Sequence, residues 1–143
     1  MFSQFFTRVY KKLSFEDIQF ALRNTEEFVI INTLPATDQS CLIGNTISHV
    51  EEERILNNLL TNYGLNKKII IYGKNNTDNT INVKYDQLMN LGFQAVYLYV
   101  GGMFEWLCLQ DIYGKDEFPT TTRQLDILKY KPTRTFGGYF LTR

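Results

Sequence analysis

Cysteine occurs only at Cys41 and Cys108, histidine only at His49 and tryptophan only at Trp106. Two distant thiols with no second pair exclude a disulfide scaffold and a four-ligand zinc set, and free thiols suit a reducing compartment. With one histidine, a metal site would have to rest on Glu51, Glu52 and Glu53, which fit better as acids in the first turn of a helix. No metal and no cofactor is therefore expected. No apolar run approaches the roughly 18 residues of a membrane-spanning helix. The start MFSQFF has neither a signal-peptide apolar region nor the glycine that myristoylation requires, so a soluble, cytoplasmic protein is expected. Charge of one sign is also missing: 15 basic and 15 acidic residues give a formal net charge of zero. Nucleic acid is not the expected partner of such a balanced surface. What is present is 143 residues, 44% hydrophobic and 15% aromatic, enough to build one ordinary domain.

Along the chain, Phe2, Phe5, Phe6, Val9, Tyr10 and Leu13 share one face of a 3.6-residue period, with Arg8, Lys11 and Lys12 opposite. This pattern predicts an amphipathic helix over residues 1–13. Such a segment packs on its own domain, lies on a membrane or enters a partner's groove; packing is the commoner outcome, and membrane attachment is not expected. Ser14 and Asp17 form an imperfect capping box ahead of a second helix carrying Phe15, Ile18 and Leu22. The unalternating runs FVIIN (28–32), IIIY (69–72) and AVYLYV (95–100) read as strands buried on both faces. Helical patterns separate them: one opens at Ser48 and ends near Gly64, and another runs from Ile81 to Gly92. A third follows through Phe104, Trp106 and Leu107. Together they predict an α/β domain with a central, mainly parallel sheet flanked by helices, occupying residues 14–118. A site in such a fold lies beyond the carboxyl ends of the strands, which selects the loop GKNNTDNT from Gly73 to Thr80. Residues 119–143 carry Arg123, Lys129, Lys131, Arg134 and Arg143 against one acid, Asp126. They read as a basic, aromatic extension, ordered over residues 124–130 and exposed beyond, or as a strap along the domain's edge.

The order of IIIY, a six-residue loop, a helix ending LGF, the strand AVYLYV and then YVGGMFEW resembles the rhodanese (sulfurtransferase) family over about residues 14–110. The resemblance implies the three-layer rhodanese fold. It also implies a cysteine nucleophile at the head of the loop after IIIY, with inward backbone N–H groups stabilising its thiolate and persulfide. That position is Gly73, which offers no sulfur to carry a sulfane or to attack a phosphate. Asn32, Thr33 and Leu34 stand where the family carries Asp-Val-Arg. LQDIYG, EFPTT and the basic end are also similar to rhodanese-like proteins of large DNA viruses of algae and protists, which implies a virion or host-contact setting.

Within the loop, Asp78 is expected to cap the following helix and to accept the N–H groups a bound anion would need. Lys74, Asn75 and Asn76 read as a solvated turn, and the set Gly73, Lys74, Asn75, Asn76, Thr77 and Asp78 is retained as a former active-site loop and candidate anion site. Cys41 and Cys108 read as small buried residues with no base or helix dipole to activate them. The leading expectation is a catalytically inactive rhodanese-like domain that binds a protein or serves a structural role. Phe136, Tyr139 and Phe140 are the candidate contact for a second copy. The alternative is a sulfurtransferase or phosphatase using a non-standard thiol or a partner's cysteine.

Overall fold

A computed structural model describes residues 8–137. Four parallel strands form one sheet in the order β1-β4-β3-β2: β1 is Lys12–Leu13, β2 Phe28–Asn32, β3 Lys68–Tyr72 and β4 Ala95–Tyr99. Helices α1 (Phe15–Arg23), α2 (His49–Thr61), α3 (Thr80–Leu91) and α4 (Gly102–Tyr113) supply the crossovers and the outer layers. Ile69, Ile70, Ile71 and Tyr72 are all fully buried, because a central parallel strand has helices on both faces. Their side chains alternate. Ile70 and Tyr72 join Ile18 and Ala21 of α1 and Met103, Trp106 and Leu107 of α4 in one apolar cluster. Ile69 and Ile71 join Leu56 of α2 and Ile81, Tyr85 and Leu88 of α3 in the other. The result is the expected α/β sandwich of three layers, with α1 and α4 on one side and α2 and α3 on the other.

The first segment departs from expectation. Of the predicted helix over residues 1–13, residues 1–7 lie outside the described residues, and Lys12–Leu13 form strand β1 rather than a helical turn. The exposed edge of β4 decides this: Lys12 and Leu13 pair with Leu98 and Tyr99, and the Leu98 N–H donates to the Lys11 carbonyl at 2.8 Å. An unpaired strand edge is costly, and pairing it outweighs a helical periodicity spread over so few residues. Val9, placed on the apolar face of that helix, is 84% exposed.

After α4 the chain turns back and travels along the α1/α4 side. Residues 119–122 dock on residues 40–44 through the Thr121 N–H to the Leu42 carbonyl (2.8 Å) and the Gly44 N–H to the Pro119 carbonyl (2.9 Å). A short 3₁₀ turn, Ile127–Tyr130, then reaches the carboxyl ends of the strands and buries Tyr130 in the cluster with Trp106. Among the described residues no helix is long and apolar enough to cross a membrane.

Candidate functional site

Three loops leave the carboxyl ends of β2, β3 and β4 and meet around Gly73, which is buried. The loop after β3 is closed by its own side chains. Asp78 Oδ2 accepts the Lys74 N–H at 2.8 Å, while Oδ1 accepts the Thr80 N–H at 3.0 Å and the Thr80 hydroxyl at 2.6 Å. Asn75 Oδ1 accepts the Thr77 N–H at 3.0 Å and its hydroxyl at 2.8 Å. Asp78 stands one residue before the position expected of it, since Asn79 is the N-cap of α3. It nevertheless takes a first-turn N–H, as a short acidic side chain at a turn does.

The volume a residue-73 side chain would need is occupied. A β-carbon built on Gly73 would collide with Asp78 Oδ2 and lie 2.9 Å from Thr33 Oγ1. The two hydroxyls of Thr80 and Thr33 are joined at 2.8 Å, so the carboxylate and both threonines form one polar cluster beneath the loop. The start of α4 presses from the other side. Met103 and Phe104 donate their N–H groups to the carbonyls of Gly73 (3.0 Å) and Lys74 (2.9 Å). Gly102 makes this approach feasible, with φ of +65° and a β-carbon position only 2.6 Å from the Gly73 oxygen. The Thr80 N–H at the start of α3 and the Met103 and Phe104 N–H groups at the start of α4, donors of the kind that hold an anion, are thus paired within the protein.

Asn75, expected to be a solvated turn residue, is instead buried at 6% exposure. Its carboxamide donates to the carbonyls of Tyr130 (2.9 Å) and Lys131 (3.2 Å), so the C-terminal segment lies across the loop. Asn76 and Thr77 are exposed, as a turn predicts, and Lys74 is half-buried. At the end of β2, Asn32 is buried and braced by Gln39: Asn32 Oδ1 accepts from Gln39 Nε2 at 2.8 Å and from the Leu34 N–H at 3.0 Å. A neutral amide pair therefore holds the turn where the family pattern has charges. Gln39 and the segment around Tyr130 are the site residues that the sequence did not disclose. Their partners lie far away in the chain or follow no motif.

The remaining nucleophile candidates are spread out. Cys41 is 1% exposed, and its thiol faces the Thr122 carbonyl. Cys108, read as a buried residue, is only half-buried, because α4 turns Met103, Trp106 and Leu107 inward. Partial burial pushes its thiol pKa up, and the carboxylates of Asp111 and Glu105 add to that, the opposite of what a reactive cysteine needs. His49, Glu51 and Glu52 sit in the first turn of α2, where Glu52 pairs with Lys84 of α3. Among the described residues no group of histidine, cysteine or acidic side chains is arranged to hold a metal.

No protein-family model matches the sequence, and comparison with curated proteins finds no match. Solved structures do match. The Alr3790 protein of Anabaena sp. superposes with a TM-score of 0.58 at 15% identity, covering 82% of this chain and 86% of that one. The solution structure of the rhodanese-like domain of Alr3790 gives 0.56 at 17% identity, covering 89% and 88%. The fold is rhodanese-like. A polysulfide-sulfur transferase homodimer from Wolinella succinogenes is a further neighbour, with a TM-score of 0.51, 20% identity and 82% of each chain covered. Identities this low establish the rhodanese-like architecture, and chemistry has to be argued from the side chains.

Proposed function

We propose that this chain is a non-catalytic rhodanese-like domain that acts by binding protein. The observation that carries the reading is the Asp78 carboxylate, which fills the space above Gly73 and accepts the loop N–H that would otherwise serve an anionic intermediate. A persulfide or phosphoryl intermediate needs an attached nucleophile and free donors around it. Here glycine stands in place of the first, and Asp78 takes up two of the second, the Lys74 and Thr80 N–H groups. The set Gly73, Lys74, Asn75, Asn76, Thr77 and Asp78, the former active-site loop and candidate anion site, is then a closed loop braced beneath the C-terminal segment and not a catalytic one. That segment supports the contact role: Leu125, Leu128 and Phe136 are 77%, 64% and 88% exposed and share the stretch with Arg123, Lys131 and Arg134. Exposed apolar and arginine side chains in one stretch are the composition of a protein contact. Phe136 is thus also the described part of a contact to a second copy; Tyr139 and Phe140 lie outside the described residues. The resemblance to proteins of large DNA viruses adds a virion or host-contact setting to the reading.

The test is thiocyanate formation from thiosulfate and cyanide by the purified full chain. No turnover is expected. Turnover that disappears in Cys41→Ala or Cys108→Ala would overturn the proposal and establish an enzyme working through a non-standard thiol. The viral setting is checked by mass spectrometry of purified particles of the encoding virus, where the chain is expected among the packaged proteins.

A further inference from the structure

Residues 127–131 (ILKYK) are held as a peptide ligand is held. One aromatic anchor, Tyr130, is 1% exposed and sits in the apolar cluster with Cys41, Met103 and Trp106. One carboxamide, that of Asn75, reads two consecutive main-chain carbonyls, those of Tyr130 and Lys131. One carboxylate, that of Asp38, pairs with Lys129 at 3.2 Å and is itself largely covered. Ile127 is half-buried, whereas Leu128 points outward at 64% exposure. An anchored side chain, main-chain hydrogen bonds and one charge contact are the elements of peptide recognition.

The segment is joined to what precedes it by a largely exposed stretch. Residues 119–122 are fixed to residues 40–44, but Arg123, Leu125 and Asp126 are exposed and Gln124 is only half-buried. A cleft of about 690 Å³, lined by Gln110 and Asp111 of α4 and by Pro119, Arg123 and Ile127, lies alongside this stretch. Residues 123–126 therefore serve as a short tether joining two docked pieces.

We infer that Asn75, Asp38 and the Tyr130 pocket form a peptide-docking site, occupied here in cis, whose occupant in trans is a partner-protein segment of the same chemistry: a lysine followed by a buried tyrosine. This rests on the binding reading above and supplies its partner class. The short tether gives the cis segment an effective concentration in the millimolar range, so it competes strongly with any segment arriving in trans.

The experiment is fluorescence anisotropy of a labelled synthetic peptide of residues 123–134 titrated with the full chain. Tyr130→Ala, which removes the cis anchor, is expected to bind it roughly tenfold or more tightly than the wild type. Binding should be lost when the peptide carries alanine for its tyrosine, or when the protein is Asn75→Ala/Tyr130→Ala. Equal affinity of wild type and Tyr130→Ala, or no binding by either, overturns the inference and makes the segment an inseparable part of the core. If Tyr130→Ala is unfolded by circular dichroism, recovery of the native spectrum on adding excess peptide supports the site, and failure to recover overturns it. Concentration-dependent dimerisation of the wild type that Tyr130→Ala abolishes would identify a second copy as the occupant and overturn the assignment to a partner protein. Thiocyanate formation would end the non-catalytic reading whatever the peptide does, and a silent enzyme assay beside a failed peptide titration would end only this inference.

Discussion

Replacing Gly73 by cysteine measures how tightly the loop is filled, because the β-carbon alone presses on Asp78 Oδ2 and Thr33 Oγ1. Gly73→Cys is expected to lower stability by about 1–3 kcal/mol, the usual size of overpacking, and to give no thiocyanate. Gly73→Cys/Asp78→Ala frees the space at the cost of the Asp78 hydrogen bonds to Lys74 and Thr80, so it should recover only part of that loss, which urea denaturation of the two variants would compare. Tyr63 presents a different kind of strain. It has φ of +60° and is 97% exposed just past the end of α2, where the following N–H, that of Gly64, donates back to the Leu59 carbonyl at 2.7 Å. A bulky residue in the left-handed region here takes the place glycine normally fills. Tyr63→Gly should therefore raise the unfolding free energy by about 0.5–1 kcal/mol in the same denaturation experiment. The sequence showed the helix ending near Gly64 but not which residue carries the positive φ, since that depends on the geometry of the closing hydrogen bond.

Among the elements, α1 and α2 have starts that were written in the chain, at Ser14 and Ser48. The Ser14 N–H and hydroxyl both donate to Asp17 Oδ2, at 2.9 and 3.2 Å, and Ile18 and Ala21 turn inward. Asp17→Ala should cost about 1 kcal/mol, the typical effect of losing a helix cap, read as a lowered urea midpoint with unchanged slope. Strands β2, β3 and β4 were legible because runs such as FVIIN and IIIY, buried on both faces, have no polar alternation to confuse them with surface segments. Strand β1 was not. It has two residues, and its only reason to be a strand is the edge of β4. For the same cause α4 was legible as a helix while its orientation was not: it is apolar on several faces, and packing alone selected Trp106 and Met103 over Cys108.

The whole molecule responds to alkali through its buried phenols. Tyr72, Tyr99 and Tyr130 are each 1% exposed or less, and burial is the leading cause that raises their pKa values; the Tyr99 hydroxyl also donates to Glu105 Oε1 at 2.6 Å. A phenol in the unfolded chain titrates near pH 10. With the folded values raised, the unfolded state loses its protons first, so the stability they contribute is intact below about pH 10 and falls as pH rises beyond it. Tyrosinate absorbance from these three residues is expected to appear together with the loss of the native circular dichroism signal. Their ionisation within a still-native chain would show that the cluster beneath the C-terminal segment is open to solvent.

The sequence by itself determined the layers and placed a residue without a side chain at the head of the loop after β3. Strand burial, helix period and the glycine at position 73 are properties of consecutive residues, which local physics reads directly. Only the tertiary structure decided what fills the loop. The contact of Asn75 with Tyr130 joins residues 55 apart, and the Thr80 hydroxyl meets that of Thr33 across 47 residues. No periodicity or spacing encodes such pairs. They exist because the sheet brings the ends of β2 and β3 side by side and the returning C-terminal segment finds there a buried amide with two donors to satisfy.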